Sequence, residues 1–104
     1  MIENVIGKQK DVAGRTRFFV LPIENEEGFK NLVEFVSQEF LCDFGPLDEG
    51  PGTLVRKGAV EGASLVFVLS DSTGVQFYAE SEKDLEVSER IAARIESRLR
   101  EVMK

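Results

Sequence analysis

The side chains of this sequence that are able to do chemistry are carboxylates beside a run rich in glycine and proline. Three of them border the run over residues 45–52, and the fourth begins a later polar turn: Asp43, Asp48, Glu49 and Asp71. Carboxylates grouped in this way can hold a hard divalent cation such as Mg²⁺. Acids beside Gly and Pro are equally typical of solvated turns, and their spacing matches no calcium-binding loop. A carboxylate-based enzyme that depends on a divalent metal is therefore one alternative that the residues leave open.

The sequence lacks the side chains that most other catalytic mechanisms require. The chain contains no histidine and one cysteine, Cys42, which excludes imidazole bases, triads that depend on histidine and zinc sites built from several thiolates. Cys42 follows an apolar helix face and has no basic neighbour in sequence, a pattern that favours a buried, unreactive thiol. The run over 45–52 leads from a helix into a strand and carries acids, unlike a phosphate-binding loop. We therefore predict a protein that is not an enzyme and has no cofactor and no metal.

Length and composition predict one domain over residues 1–104. A chain of 104 residues with 42% hydrophobic residues and eight phenylalanines is sufficient for a single core. A lone cysteine excludes an internal disulfide and favours a reducing location, here a bacterial cytoplasm. The N-terminus lacks the pattern of a secretory signal, and the longest apolar run, over residues 65–69, is far too short to span a bilayer. We expect no membrane partner.

The first part of the sequence predicts a strand, a helix and a loop. The aromatic and β-branched run from Arg15 to Leu21 indicates a strand. Asn25 is a suitable helix cap, and apolar residues then recur at steps of three and four. We expect this helix to end near residues 42–44 and a loop to follow over 45–52. Residues 1–12 stay uncertain, with an extra edge strand and a flexible arm as the alternatives.

The second part predicts three strands and a long helix. The strand-like runs are joined by short turns: Thr53 to Val60, Ala63 to Ser70 and Val75 to Glu80. Ser81 and Asp84 have the spacing of a capping box at the start of the last helix. The order is therefore β-α-β-β-β-α. We expect an α+β, two-layer sandwich in which the strands form an antiparallel meander and both helices pack on one face of the sheet.

Negative charge is concentrated in the first helix and the residues after it. The net charge is −6, and residues 21–50 carry eight acids against one base. Such a surface suits a basic protein partner, because complementary fields speed association, and it disfavours nucleic acid. Arg90, Arg94 and Arg98 form a row on the last helix. The row either binds phosphates or an acidic partner, or it is a solvated flank that pairs with nearby acids.

Two departures from simple amphipathicity predict where binding takes place. The run over 65–69 is apolar on both faces, so Val66, Val68 and Tyr78 are expected to face away from the helices. This face is either an exposed protein-binding or dimer contact, or it is covered by the N-terminal segment with Ile2, Val5 and Ile6. On the first helix, one aromatic residue lies off the apolar stripe, beside acids. The predicted partner-binding residues are Glu34, Phe35, Glu39, Asp48, Glu49, Val66, Val68 and Tyr78.

These observations do not determine the function, and three hypotheses follow from them. The first is a small, acidic, non-enzymatic protein-binding domain, similar in class to inhibitors, immunity proteins or adaptors, that holds a protein partner or a second copy of itself. The second is a dimeric secretion-type chaperone. The third is the metal-dependent carboxylate enzyme.

Overall fold

The sheet and helices of the chain were analysed in a computed structural model, which describes residues 5–102. It contains six strands, a 3₁₀ turn and two α-helices. Their bounds are β1 Ile6–Lys10, β2 Thr16–Val20, α1 Glu26–Glu39, β3 Cys42–Gly50, β4 Thr53–Val60, β5 Ala63–Ser70, β6 Gly74–Ala79, the 3₁₀ turn Glu82–Asp84 and α2 Leu85–Val102. Within the described residues, no helix combines the length and the apolarity that crossing a bilayer requires.

All six strands form one antiparallel sheet in the order β1-β2-β6-β5-β4-β3. The strands from β3 to β6 are a meander, in which each strand pairs with the next along the chain. The last strand of this meander pairs with β2, which joins it to the N-terminal hairpin of β1 and β2. The predicted α+β sandwich with an antiparallel meander is confirmed.

The stretch predicted as a loop over 45–52 is mostly an edge strand. Helix α1 ends at Glu39, and β3 then runs along β4 with an irregularity in register between Phe44 and Leu47. Pro46 falls in this irregularity, and the carbonyl oxygen of Gly45 accepts a hydrogen bond from Arg56 Nε at 2.6 Å. An edge strand has a ladder on one side only, so it tolerates a proline at a bulge. The glycines and prolines of this stretch are typical of a loop, so the sequence alone did not predict the strand.

At the N-terminus the structure shows an edge strand. Strand β1 pairs with β2 from Ile6 to Lys10, so it extends the sheet sideways and does not cover a face. Val5 is buried, and Ile6 packs against the core. Ile2, which was predicted to be able to cover the sheet, lies outside the described residues.

The core lies between one face of the sheet and both helices. Strands β2, β6 and β5 contribute a continuous stack of rings, with the centroid of Phe77 5.2 Å from that of Phe18 and 5.1 Å from that of Phe67. The helices cover this stack with their apolar stripes: Phe29, Leu32, Val33 and Val36 from α1, and Ile91, Ala92 and Ile95 from α2. Because side chains alternate along a strand, this packing leaves every second residue of the sheet on the opposite face.

Local hydrogen bonds fix where the helices begin. The Asn25 side chain caps α1 by accepting a hydrogen bond from the backbone N–H of Gly28 at 2.7 Å, as predicted. The predicted capping box at Ser81 is not formed, because Ser81 makes no side-chain cap hydrogen bond and precedes a 3₁₀ turn. Instead, the Glu82 carboxylate accepts hydrogen bonds from the hydroxyl and backbone N–H of Thr16, which lower its pKa and tie the turn to β2.

The arginine row of α2 pairs with acids of neighbouring elements. Arg90 binds Glu61 in the β4–β5 turn at 2.8 Å, and Arg94 binds Glu39 at the end of α1 at 2.7 Å. Arg98 lies 3.4 Å from Glu101 on its own helix. These partly exposed pairs contribute little free energy each. The contacts match the arrangement expected of a solvated flank that orients α2 beside α1.

Truncating the central ring of the stack tests this description of the core. Phe67 is fully buried and contacts rings on two sides, so Phe67→Ala should lower the free energy of unfolding by about 3–5 kcal/mol. The matched control is Val12→Ala at a fully exposed position, which should change it by less than about 0.5 kcal/mol. Urea unfolding measures both, and equal effects would contradict the assignment of Phe67 to the core.

Candidate functional site

The predicted partner-binding residues on α1 lie at a groove between the two helices. Phe35 and Glu34 line this groove of about 490 Å³ together with Leu99 of α2. The guanidinium of Arg94 sits 5.4 Å from the ring centroid of Phe35, and the same arginine binds Glu39. Two of the three predicted residues of α1 therefore take part in contacts between the helices, while Glu34 remains exposed at the rim.

Alternation along β3 places two of the predicted acids, Asp48 and Glu49, on opposite faces of the sheet. Glu49 lies opposite the buried Leu54, on the helix side of the sheet. Asp48 lies opposite Val55, on the other side, and Asp71 lies in the β5–β6 turn. Across residues 5–102, no three His, Cys, Asp or Glu side chains come together in a way that could hold a metal ion. The structure thus does not assemble the four carboxylates that the metal hypothesis requires.

Cys42 is half-buried beside the end of α1. Burial, and after it the negative charge of Asp43, raises the pKa of the thiol. Its Sγ lies 3.9 Å from the carbonyl oxygen of Val36. A thiol held protonated in this way is a poor nucleophile, in agreement with the predicted unreactive role.

The structure brings Val66, Val68 and Tyr78 together on the sheet face away from the helices. We call this surface the open face. One row of directly opposed residues crosses five strands: Gln9, Arg17, Tyr78, Val66 and Lys57. The next row crosses all six strands: Gly7, Phe19, Gln76, Val68, Val55 and Asp48. Val66 is only 2% exposed although it does not belong to the core cluster, whereas Val68 and Tyr78 are half-buried.

A carboxylate at the β1–β2 turn organises one end of the open face. Oδ2 of Asp11 accepts hydrogen bonds from Nε of Arg15 at 3.1 Å and from Nε of Arg17 at 2.9 Å. Its Oδ1 accepts from the backbone N–H groups of Ala13 and Arg15. Gly14 completes the turn with a φ of +82°, a conformation that favours glycine. One side chain therefore fixes both the turn and the two guanidinium groups.

The two guanidinium groups rest on the ring of Tyr78. The carbon centre of Arg17 lies 4.2 Å from the ring centroid and that of Arg15 lies 4.7 Å from it, within the range of cation–π attraction. Nη1 of Arg17 also donates to Oε1 of Gln76 at 2.8 Å. Nε2 of Gln76 in turn donates to the hydroxyl of Thr73 at 3.0 Å. Asp11, Arg15, Arg17, Gln76 and Tyr78 thus form one connected group, the arginine–tyrosine cluster.

The carboxylate of Asp11 stays ionised over most of the acid range. Its partial burial alone would raise its pKa. The hydrogen bonds from the backbone of Arg15, the side chain of Arg17 and the backbone of Ala13 outweigh that effect and lower the pKa from 3.8 to about 2. With two guanidinium groups and one carboxylate, the cluster carries a net positive charge, and Lys57 adds to it at the far end of the row.

Sequence reasoning found Tyr78 but missed the other members of the cluster. Alternation in β2, where Thr16, Phe18 and Val20 are buried, assigns Arg17 to the opposite face, so part of the signal was present. The pairing of β2 with β6, which brings Arg17 beside Tyr78, has no local signature.

No protein-family model, curated protein or solved structure matches this chain. The chemistry of the site is therefore inferred from its geometry. Chemically, the cluster offers guanidinium N–H donors, positive charge and an aromatic face beside valine side chains. These groups bind anions and apolar groups.

Removing the carboxylate of Asp11 should destabilise the fold in a way that depends on pH. Because folding lowers the pKa of Asp11 from 3.8 to about 2, its stabilising contribution is complete above 3.8 and is lost as the pH falls through about 2. We expect Asp11→Asn to lower the free energy of unfolding at neutral pH, and the difference from the wild type to vanish toward the acid limit. Urea unfolding across this pH range measures the difference, and a constant gap would show that the charge of Asp11 is not the cause.

Proposed function

We propose that this chain is a non-enzymatic protein-binding domain that docks its partner on the open face. The observation that supports the proposal is that both helices pack on one side of a six-stranded sheet, so within residues 5–102 no helix covers the other side. That side presents half-buried Phe19, Val55, Val68 and Tyr78 in adjoining positions. An apolar patch with polar groups at its border is typical of a protein interface.

The arginine–tyrosine cluster contains residue types that often supply most of the binding energy in protein interfaces. Arg and Tyr are enriched among such residues because each combines a large contact area with hydrogen-bonding groups. Here Asp11 and the ring of Tyr78 already hold Arg15 and Arg17 in place. Side chains ordered before binding lose less conformational entropy when a partner arrives.

The charges of the open face favour a different protein over a second copy of this chain. The row from Arg17 through Tyr78 and Val66 to Lys57 has a cation at each end. In a face-to-face dimer whose twofold axis passes through the centre of this row, each terminal cation would oppose a cation of the other copy. Like charges across an interface are unfavourable, which weighs against the dimeric chaperone hypothesis.

A basic partner on the acidic side of the molecule is a second candidate. It is supported by a cleft of about 380 Å³ at the start of α1, which is lined by four acids: Glu24, Glu26, Glu49 and Asp71. A bacterial cytoplasm remains our proposed location, because a single half-buried cysteine is suited to a reducing compartment.

A charge placed in the centre of the open face tests the leading proposal. Val68 is half-buried there, and a lysine at this position can extend its ammonium group into solvent, so Val68→Lys should leave the chain folded. The matched control is Ser97→Lys at an exposed position of α2. We expect each variant to be monomeric by sedimentation and to have a melting temperature within about 5 °C of the wild type.

The readout is quantitative capture of proteins from host lysate by the wild type and both variants. We expect Val68→Lys to lose specific partners that the wild type and Ser97→Lys retain. The same captured set for both variants would overturn the proposal. A wild-type dimer that Val68→Lys dissociates would support the chaperone hypothesis instead.

A further inference from the structure

We propose that the open face recognises an acidic segment of its partner that presents a carboxylate and apolar side chains on the same side, and that Arg15 and Arg17 hold that carboxylate. The inference rests on the proposed function and adds the chemistry of the partner. It is carried by the hydrogen-bonding state of the two arginines and by the side chains next to them.

Both arginines are anchored through Nε, and Arg17 is also anchored through Nη1. Asp11 accepts hydrogen bonds from Nε of both, and Gln76 accepts one from Nη1 of Arg17. Within residues 5–102, the terminal nitrogens of Arg15 have no hydrogen-bond partner. The side chains of Arg15 and Arg17 are 31% and 25% exposed, so these donors are partly desolvated yet reachable. A guanidinium in this state binds a carboxylate by charge-assisted hydrogen bonds.

The surroundings of the arginines determine what else the ligand must contain. Val66 lies directly beside Tyr78 across the β5–β6 pair, and Val68 and Phe19 lie in the next row. Neighbouring strands in a sheet are roughly 4.8 Å apart. Residues two positions apart in an extended peptide face the same way. Such a peptide on this face could place an acidic side chain at the arginines and apolar side chains two residues away over the half-buried Val68 and Phe19.

The distribution of charge favours an acidic peptide over a nucleic acid. The open-face cations belong to a chain whose net charge is −6, and exposed acids such as Glu24, Glu27 and Glu34 lie on or beside α1. A nucleic acid carries a charge on every nucleotide, so it would interact unfavourably with this long-range field. A short segment with one or two carboxylates interacts mainly with the cationic cluster.

Tyr78 provides a direct measurement of the site. It is the single tyrosine of a chain without tryptophan, so intrinsic fluorescence reports on the arginine–tyrosine cluster. The probes are three capped pentapeptides that place valines and the third residue on one side when extended and differ in that residue: Val-Ser-Asp-Ser-Val, Val-Ser-Asn-Ser-Val and Val-Ser-Lys-Ser-Val. An oligothymidylate of about ten nucleotides and inorganic phosphate are titrated in parallel to test for nucleic acid and for simple anion binding.

We expect the aspartate peptide to change the fluorescence of Tyr78 saturably and to bind at least about ten-fold more tightly than the asparagine and lysine peptides. Added salt should weaken it. Equal binding of the aspartate and asparagine peptides would overturn the inference while leaving the open face as a docking surface. Stronger binding of the oligonucleotide or the lysine peptide would also overturn it. No response to any probe would overturn the inference, and the lysate capture by Val68→Lys separately decides the proposed function.

Variants locate the interaction. Arg15→Gln should weaken the aspartate peptide by about ten-fold, and Arg15→Lys should weaken it less, because it keeps the charge but loses the planar fork. The matched control is Lys30→Gln on α1, which removes one positive charge on the other side of the sheet and should have no effect. Equal losses in Arg15→Gln and Lys30→Gln would show a general charge effect and would contradict the assignment. The peptide comparison uses the wild-type chain, so it remains decisive if a variant is poorly folded.

Discussion

The pairing of β2 with β6 is the constraint on which the rest of this structure depends. It joins a hairpin near the N-terminus to a meander that follows α1, and it is formed by residues about sixty positions apart, such as Arg17 and Tyr78. On one side of the sheet this register stacks Phe18 on Phe77. On the other side, it brings the guanidinium of Arg17 over Tyr78. A single register therefore sets both the centre of the core and the centre of the candidate site.

The two faces of the sheet have different physical roles because, in the part of the chain that the structure describes, the helices cover only one of them. The helix side is a continuous apolar layer that stabilises the fold by burial of aromatic and aliphatic side chains. The open face is ordered by polar contacts among its own side chains, with Asp11 as the central acceptor. Side chains that such contacts already hold in place are suited to meeting a partner in a preformed shape.

The arginines on the two sides of the sheet also have different roles. The row of arginines on α2 pairs with acids of the β4–β5 turn and of α1, so these cations serve contacts within the fold. Arg15 and Arg17 share one carboxylate between them, which leaves a local positive charge on an acidic chain. The candidate site is therefore a place where the local field opposes that of the whole molecule. Such an arrangement discriminates between a short acidic segment and an extended polyanion.

The sequence by itself determined those features that neighbouring residues specify. The 3.6-residue period marked both helices, Asn25 marked the start of α1, and alternation placed Val66, Val68 and Tyr78 on one face. Only the tertiary structure decided that β3 is a strand, because its glycine and proline are tolerated at a sheet edge. It also separated Asp48 from Glu49 on opposite faces and assembled the arginine–tyrosine cluster. Periodicity and capping are local and can be read along the chain, whereas these outcomes depend on which distant strands pair and in which register.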